Sequence, residues 1–209
     1  MLTKEQWLQA LADREGWPRL KKFQQGRVLI CGLGGLGSRV AELLVRAGVG
    51  YLRLVDFDVL EATNLNRQLY GMEQLGQTKA EALEKNLRWI TPYVDLDVHV
   101  AKVTEENLPA LVQGMDVVVE AFDNPAAKAM LVNFVREQYP ELPLVAASGM
   151  AGFGSGNDVQ VRQLSRNFYL CGDRVTGLDK GDGLYGARVA LCASQQALVV
   201  LQILAKSEE

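Results

Sequence analysis

The run of residues 27–33 (RVLICGL), together with Gly34, Gly35 and Gly37, constrains this chain more than any other stretch. An apolar, β-rich segment that stops on glycines, followed by residues 38–47 with helical periodicity, reads as a buried strand entering a tight turn at a helix start. Gly48 and Gly50 stop that helix, and residues 51–56 (YLRLVD) supply a second strand, which completes one βαβ unit. The alternation continues with a helix over 79–89, a strand over 95–103, a helix over 105–113, a strand over 116–121 and a helix over 126–139. Strands over 144–147 and 158–164 and a terminal helix over 185–206 complete it. Helices and strands alternating in this way predict an α/β fold: a Rossmann-like, doubly wound, mainly parallel sheet with mixed C-terminal strands. Ligands of such sheets bind beyond the carboxyl ends of the strands.

At 209 residues the chain can bury one substantial core, so a domain over 27–209 is expected behind a helical arm over 1–26. In the arm, Trp7, Leu8, Leu11, Trp17 and Leu20 are spaced among charges as in an amphipathic helix that packs on the body or on a partner subunit. Exposed aromatic side chains there predict a homodimer. Residues 149–156 (GMAGFGSG) and 171–186 (CGDRVTGLDKGDGLYG) are expected to be mobile, because glycines and charges cannot build a core.

Twenty-two basic residues against twenty-five acidic ones give a net charge of −3 without a long block of one sign, so no nucleic-acid surface is expected. Charges interrupt the opening MLTKEQWLQALADREGW as they would not in a secretory segment, and the apolar run over 197–205 is too short to span a bilayer. No membrane partner is expected. Cys31, Cys171 and Cys192 form no Cys-x-x-Cys pair, which argues against a disulfide framework and a structural zinc and for a cytoplasmic setting. The single histidine, His99, falls in an alternating strand-like stretch, so mechanisms that need a histidine base are disfavoured.

Gly32, Gly34 and Gly37 fit G-x-G-x-x-G between strand and helix, with Gly35 as an additional glycine, and let backbone N–H groups approach phosphate oxygens. Asp56 follows at the end of the second strand, where an acid meets ribose hydroxyls. These features alone suit NAD, FAD, SAM and ATP proteins alike, a nicotinamide-dependent oxidoreductase included, and a purely structural turn is the plain alternative. Residues 56–68 (DFDVLEATNLNRQ) narrow the choice. Asp56, Asp58, Asn64, Arg67 and Gln68 lie where the ligand should be; a dehydrogenase has no need of an arginine with amides there, whereas a triphosphate does.

With Lys79 in GQTKAEAL and Asp123 in EAFDNPAAKAML, these motifs resemble the ThiF/MoeB/HesA family of ubiquitin-activating-type adenylyltransferases. YLCGD at 169–173 and RVALC at 188–192 are similar to the short ThiF-like proteins of thiamine biosynthesis. The resemblance implies ATP and Mg²⁺ as cofactors and a ThiS-like ubiquitin-like sulfur-carrier protein as partner, whose C-terminal glycine carboxylate is adenylylated for thiazole synthesis. The molybdopterin sulfur carrier and a tRNA base are the alternatives within the family. It further implies that Arg67 and Lys79 hold the triphosphate, Asn64 donates a hydrogen bond, Asp56 binds ribose and Asp123 holds Mg²⁺. One anion attacks another in this reaction, so cationic positioning supplies much of the catalysis. The plainer readings are a surface ion pair for Arg67, a solvated Lys79 and a helix cap at Asp123; Asp58 is open between structure and function.

The chain departs from many relatives in lacking two Cys-x-x-Cys pairs. Cys171 alone lies near the first of those positions, and an exposed thiol there could take part in sulfur transfer. Cys31 and Cys192 read as packing residues. No N-terminal arginine motif is recognisable, and Arg14 and Arg19 are the available substitutes.

Overall fold

A computed structural model describes residues 2–177 and 181–206 of the chain. Glycine-rich loop 171–186 is therefore described except for residues 178–180. Helices α1 (Lys4–Glu15) and α2 (Trp17–Gln25) lead into β1 (Arg27–Cys31), α3 (Gly37–Arg46), β2 (Tyr51–Asp56), α4 (Lys79–Ile90) and β3 (Asp95–Val100). Then come α5 (Leu108–Val112), β4 (Val117–Glu120), α6 (Pro125–Gln138), β5 (Leu144–Ala147), β6 (Gln160–Ser165), β7 (Phe168–Gly172) and α7 (Gly186–Lys206).

The strands form one seven-stranded sheet in the order β3-β2-β1-β4-β5-β7-β6. Every pairing is parallel except that of β6 with β7. This is the doubly wound, mainly parallel sheet with a mixed C-terminal edge that the element alternation predicts. Strand β7 has no counterpart in the sequence reading: Phe168, Tyr169 and Leu170 begin a stretch whose glycines and charges resemble a loop. A two-residue turn after β6 nonetheless folds it in beside β5, pairing Ala147 with Cys171.

Alternation along β1 feeds both faces of the sheet. Val28 and Ile30 join Leu44, Leu83, Cys192 and Val200 in one cluster, while Leu29 and Cys31 join Leu108, Leu131 and Val135 in the other. These four side chains of β1 are fully buried, Arg27 at its start being half-buried. A strand buried on both faces belongs at the centre of a sheet covered by helices.

The arm is two helices. Gly16, at φ +84, cannot continue α1, and Pro18 starts α2, whose Leu20 and Phe23 are buried. The Gly50 N–H donates to the Phe23 carbonyl at 3.0 Å, so the arm docks on the turn between α3 and β2 of its own body. Trp7 and Leu11 are half-buried by this packing, and Trp17 is exposed.

Helix α7 has the length and composition to cross a membrane, with a mean hydropathy of 1.5 over an 18-residue window. It covers the α3 side of the sheet through Val189, Cys192, Ala193, Ala197 and Val200.

Candidate nucleotide site

The sheet order reverses between β1 and β4, and the loops leaving these two strands flank the crevice where ligands of doubly wound sheets bind. Gly32 has φ +89 and donates its N–H to the Val55 carbonyl; a Cβ there would come within 2.8 Å of the Ala121 carbonyl oxygen. At Gly37 a Cβ would lie 1.8 Å from the Gly32 carbonyl oxygen, so the turn closes tightly on itself and on the β4 loop. Above Gly34 the nearest group is the Gln68 amide nitrogen, 3.6 Å from where a Cβ would sit, and no side chain caps the start of α3. The loop therefore presents open backbone at a helix N-terminus, which suits phosphate oxygens.

Asp56 organises this loop. Its Oδ2 accepts the Leu33 N–H at 2.6 Å and its Oδ1 accepts the Asp58 N–H at 2.8 Å. Burial pushes its carboxyl above the usual range, against the opposing pull of those two N–H groups and of Lys79. Asp58 turns away toward α4, where its Oδ2 lies 2.6 Å from the ammonium of Lys79. Lys79 is the first residue of α4 and is buried, and its N–H donates to the Asp58 carbonyl. The structure thus removes the reading of Lys79 as a solvated surface lysine and gives Asp58 a definite partner.

Asn64 lies in a 3-10 turn, where its side-chain oxygen accepts the Glu61 N–H and its carbonyl accepts from the Arg67 and Gln68 N–H groups. The Arg67 stem lies over Gly35, its Cγ 3.3 Å from where a Cβ would be, and its guanidinium donates to Thr63 and Asn66 oxygens. Gln68 is buried, and its Oε1 has no hydrogen-bond partner among the described residues. Arg67, Gln68, Asp56, Asp58 and Lys79 are thereby brought together around the glycine loop.

Asp123 stands on the loop from β4 to α6, exposed and with no partner among the described residues. Capping of α6 falls instead to Asn124, whose side chain accepts the Ala126 and Ala127 N–H groups, so the helix-cap reading of Asp123 does not hold. No group of three or more His, Cys, Asp or Glu able to hold a metal occurs among the described residues. A single free carboxylate fits Mg²⁺ that arrives with a phosphate ligand and keeps its waters, rather than an all-protein cage. Beneath the loop, the fully buried Glu120 pairs with Lys128 and accepts the Phe122 N–H, fixing the backbone that leads to Asp123. The signal for Glu120 in the sequence is an acid ending a run of valines.

Two expectations fail at the C-terminal loops. Cys171 is fully buried in β7, and burial pushes its thiol up to about 12, so it is not the exposed loop nucleophile anticipated. The described parts of loops 149–156 and 171–186 are tied down rather than free. Arg188 donates to the Gly154 and Ser155 carbonyls and, at 2.7 Å, to Asp173, which also accepts the Val175 and Thr176 N–H groups. The Gly152 N–H donates to Gly183, and Phe153 packs on Tyr185 with ring centres 5.0 Å apart. The Asn66 amide donates to the Leu184 carbonyl, which brings this crossover to the segment bearing Arg67.

Fold and site together are those of a doubly wound α/β protein, with an open glycine loop at a helix start and cationic groups added after the second strand. The chain belongs to the ThiF family, whose model matches residues 5–209. It is 32% identical over 153 residues to tRNA threonylcarbamoyladenosine dehydratase of Escherichia coli (strain K12), a match covering 72% of this chain and 56% of that protein. It is 42% identical over 107 residues to the sulfur carrier protein ThiS adenylyltransferase of Bacillus subtilis (strain 168), covering 50% of this chain and 32% of the relative. The chain thus spans about half or less of the length of these relatives. Among solved structures, E. coli tRNA N6-threonylcarbamoyladenosine dehydratase in complex with ATP superposes with a TM-score of 0.86 at 23% identity, over 98% of this chain and 96% of that one. At that identity the likeness concerns the fold.

Proposed function

We propose that the chain is an ATP-dependent adenylyltransferase acting on the C-terminal carboxylate of a small ThiS-like sulfur-carrier protein. The observation that carries this reading is the placement of Arg67 over Gly35 of the open glycine loop and of Lys79 at the start of α4, paired with Asp58 just beyond β2. A carboxylate oxygen attacks the α-phosphorus of ATP, the bond to the bridging oxygen of the β-phosphate breaks, and pyrophosphate leaves. Negative charge gathers on the departing phosphates, and Arg67 and Lys79 are the cations that balance it. The open backbone above Gly34 takes phosphate oxygens, Asp56 takes a ribose hydroxyl, and the Asn64 and Gln68 amides hold the phosphates in line. Asp123 would hold Mg²⁺, which supplies further charge neutralisation to the same phosphates. The ThiS adenylyltransferase relative supports the sulfur-carrier reading.

Homodimeric assembly belongs to the same proposal. All six residues of edge strand β6 are exposed, Val161 and Leu164 among them, which leaves an unpaired edge with apolar side chains for a second copy to cover.

The test is carrier-dependent isotope exchange between pyrophosphate and ATP in purified protein with a ThiS-like carrier. Exchange that appears only with carrier supports the reading; absence of exchange with every carrier of this type sinks it. A second reading, activation of a group on a tRNA base, is favoured by the larger share of the chain matched by the tRNA-modifying relative. It requires ATP turnover stimulated by tRNA and not by a carrier.

A further inference from the structure

Tyr70 follows the Arg67-Gln68 pair by two residues and has no part in the site as read from the sequence. Its hydroxyl lies 2.8 Å from the Leu33 carbonyl oxygen and 3.2 Å from the Lys79 carbonyl oxygen, and its ring packs against the main core cluster. Leu33 belongs to the glycine loop, and Lys79 opens α4. One phenol thus spans two elements whose chemistry must act on one ligand.

These contacts close a ring. Asp56 accepts the Leu33 N–H; the Leu33 carbonyl accepts from Tyr70; Tyr70 reaches Lys79; Lys79 pairs with Asp58; and the Asp58 N–H returns to Asp56. The other links all run through Asp56 at the end of β2 or Asp58 just after it, while Tyr70 alone in this ring joins the loop directly to α4. A phenol has a single proton, and burial pushes its dissociation far above the ordinary tyrosine range, so it stays a donor whose one proton is shared between the two carbonyls, with the shorter contact to Leu33. Its ring, packed against the core cluster, anchors the hydroxyl at the point where the two carbonyls meet it.

We infer that Tyr70 is a positioning residue that holds Lys79 at a fixed distance from the glycine loop, and so sets the preference of the site for a nucleoside triphosphate over a monophosphate. The inference rests on the nucleotide reading of the site. The loop side contacts the phosphate common to both nucleotides, whereas Lys79 meets charge that only the longer chain carries. Loosening the link therefore costs affinity for ATP and spares AMP. A residue that merely supports the core would lower both in proportion.

The experiment is isothermal titration of the full chain with Mg-ATP and, separately, with AMP, for wild type, Tyr70→Phe, Lys79→Met and the double variant. Tyr70→Phe is expected to weaken ATP binding about three- to tenfold, the effect of one hydrogen bond, with AMP affinity unchanged within about twofold. In the Lys79→Met background it is expected to have no further effect on ATP, because the group being positioned is gone. Equal losses for both nucleotides, no change for either, or an undiminished effect without Lys79 would overturn the inference. Tyr70→Met, which also lacks the hydroxyl, carries the same expectations should the phenylalanine variant fail to fold, as judged by thermal unfolding. Wild-type protein that binds no ATP sinks the nucleotide reading itself, whereas normal wild-type binding with unaltered Tyr70 variants sinks only the role given to Tyr70.

Discussion

Asp123 has no partner among the described residues and Arg67 bonds only to its near neighbours Thr63 and Asn66, in contrast to Asp56, whose two oxygens are engaged by backbone N–H groups of the glycine loop and of the segment after β2. Arg67→Ala and Asp123→Ala should therefore leave the melting temperature near wild type while lowering carrier-dependent exchange by about two orders of magnitude or more. Near-normal exchange in both would remove them from the site. Asp56→Ala should instead cost stability as well, because it orphans the Leu33 N–H. The cysteines yield a second expectation at this scale. Cys31, Cys171 and Cys192 are all buried, and burial raises each thiol, so a thiol reagent such as Ellman's should react slowly with the native protein and rapidly after unfolding in guanidinium. One thiol reacting at once in the native state would contradict this placement. The positions of the glycine loop, Asp56 and Arg67 beyond the strand ends were legible because they follow from strand, turn and helix alternation, whereas Lys79 was singled out by the resemblance to the ThiF/MoeB/HesA family. Tyr70 was not, since its role depends on a contact with Leu33, 37 residues away, that no local pattern encodes, and Glu120, an acid ending a run of valines, reads in the sequence as part of the strand.

Among the elements, those with regular periodicity were legible to within a residue or two: α3, α4, α6 and α7 lie close to their expected places. The break at Gly16 and the strand β7 were missed. In the first case the arm read as one amphipathic segment although Gly16 and Pro18 stood in it; in the second, glycines and charges downstream of Tyr169 outweighed a five-residue strand. The expectation of loose loops failed for a related reason, because composition cannot show that Arg188 supplies the missing hydrogen-bond partners. That clamp is pH-dependent. Burial works to raise the Asp173 carboxyl, yet the Thr176 and Val175 N–H groups and the Arg188 guanidinium outweigh it and hold it at about 2. A value depressed below that of the unfolded chain, about 3.9, stabilises the fold at higher pH, and the contribution disappears as pH falls from about 4 toward 2. Asp173→Asn should accordingly flatten the acid limb of thermal stability between those pH values; an unchanged limb would show that the clamp contributes nothing. Helix α2 makes an equally direct prediction: Leu20→Ala, at a fully buried position, should cost about 2–5 kcal/mol by urea denaturation. A loss below about 1 kcal/mol would mean that the arm is an appendage after all.

For the whole molecule, the exposed sheet edge at β6 is the surface on which assembly turns. With Trp7 and Leu11 half-buried against the protomer's own body, the arm has less apolar surface to offer a partner than its sequence suggested. Light scattering at micromolar concentration should give the mass of a dimer, and Val161→Lys on β6 should shift it toward the monomer. A wild-type monomer would contradict the assembly proposed. The layout of the chain has another consequence. Helix α7 covers the same face of the sheet as α3, its Leu204 lies against Gly26 just before β1, and its Ala205 carbonyl accepts from Lys22. During vectorial synthesis, β1 through β5 therefore emerge from the ribosome with the part of this face beside α3 still bare, and the α7 segment that closes it follows all seven strands. The nascent chain would depend most on chaperones late in translation, just before α7 arrives, and a stalled ribosome near residue 185 would display a sticky, unfinished sheet rather than a smaller stable protein.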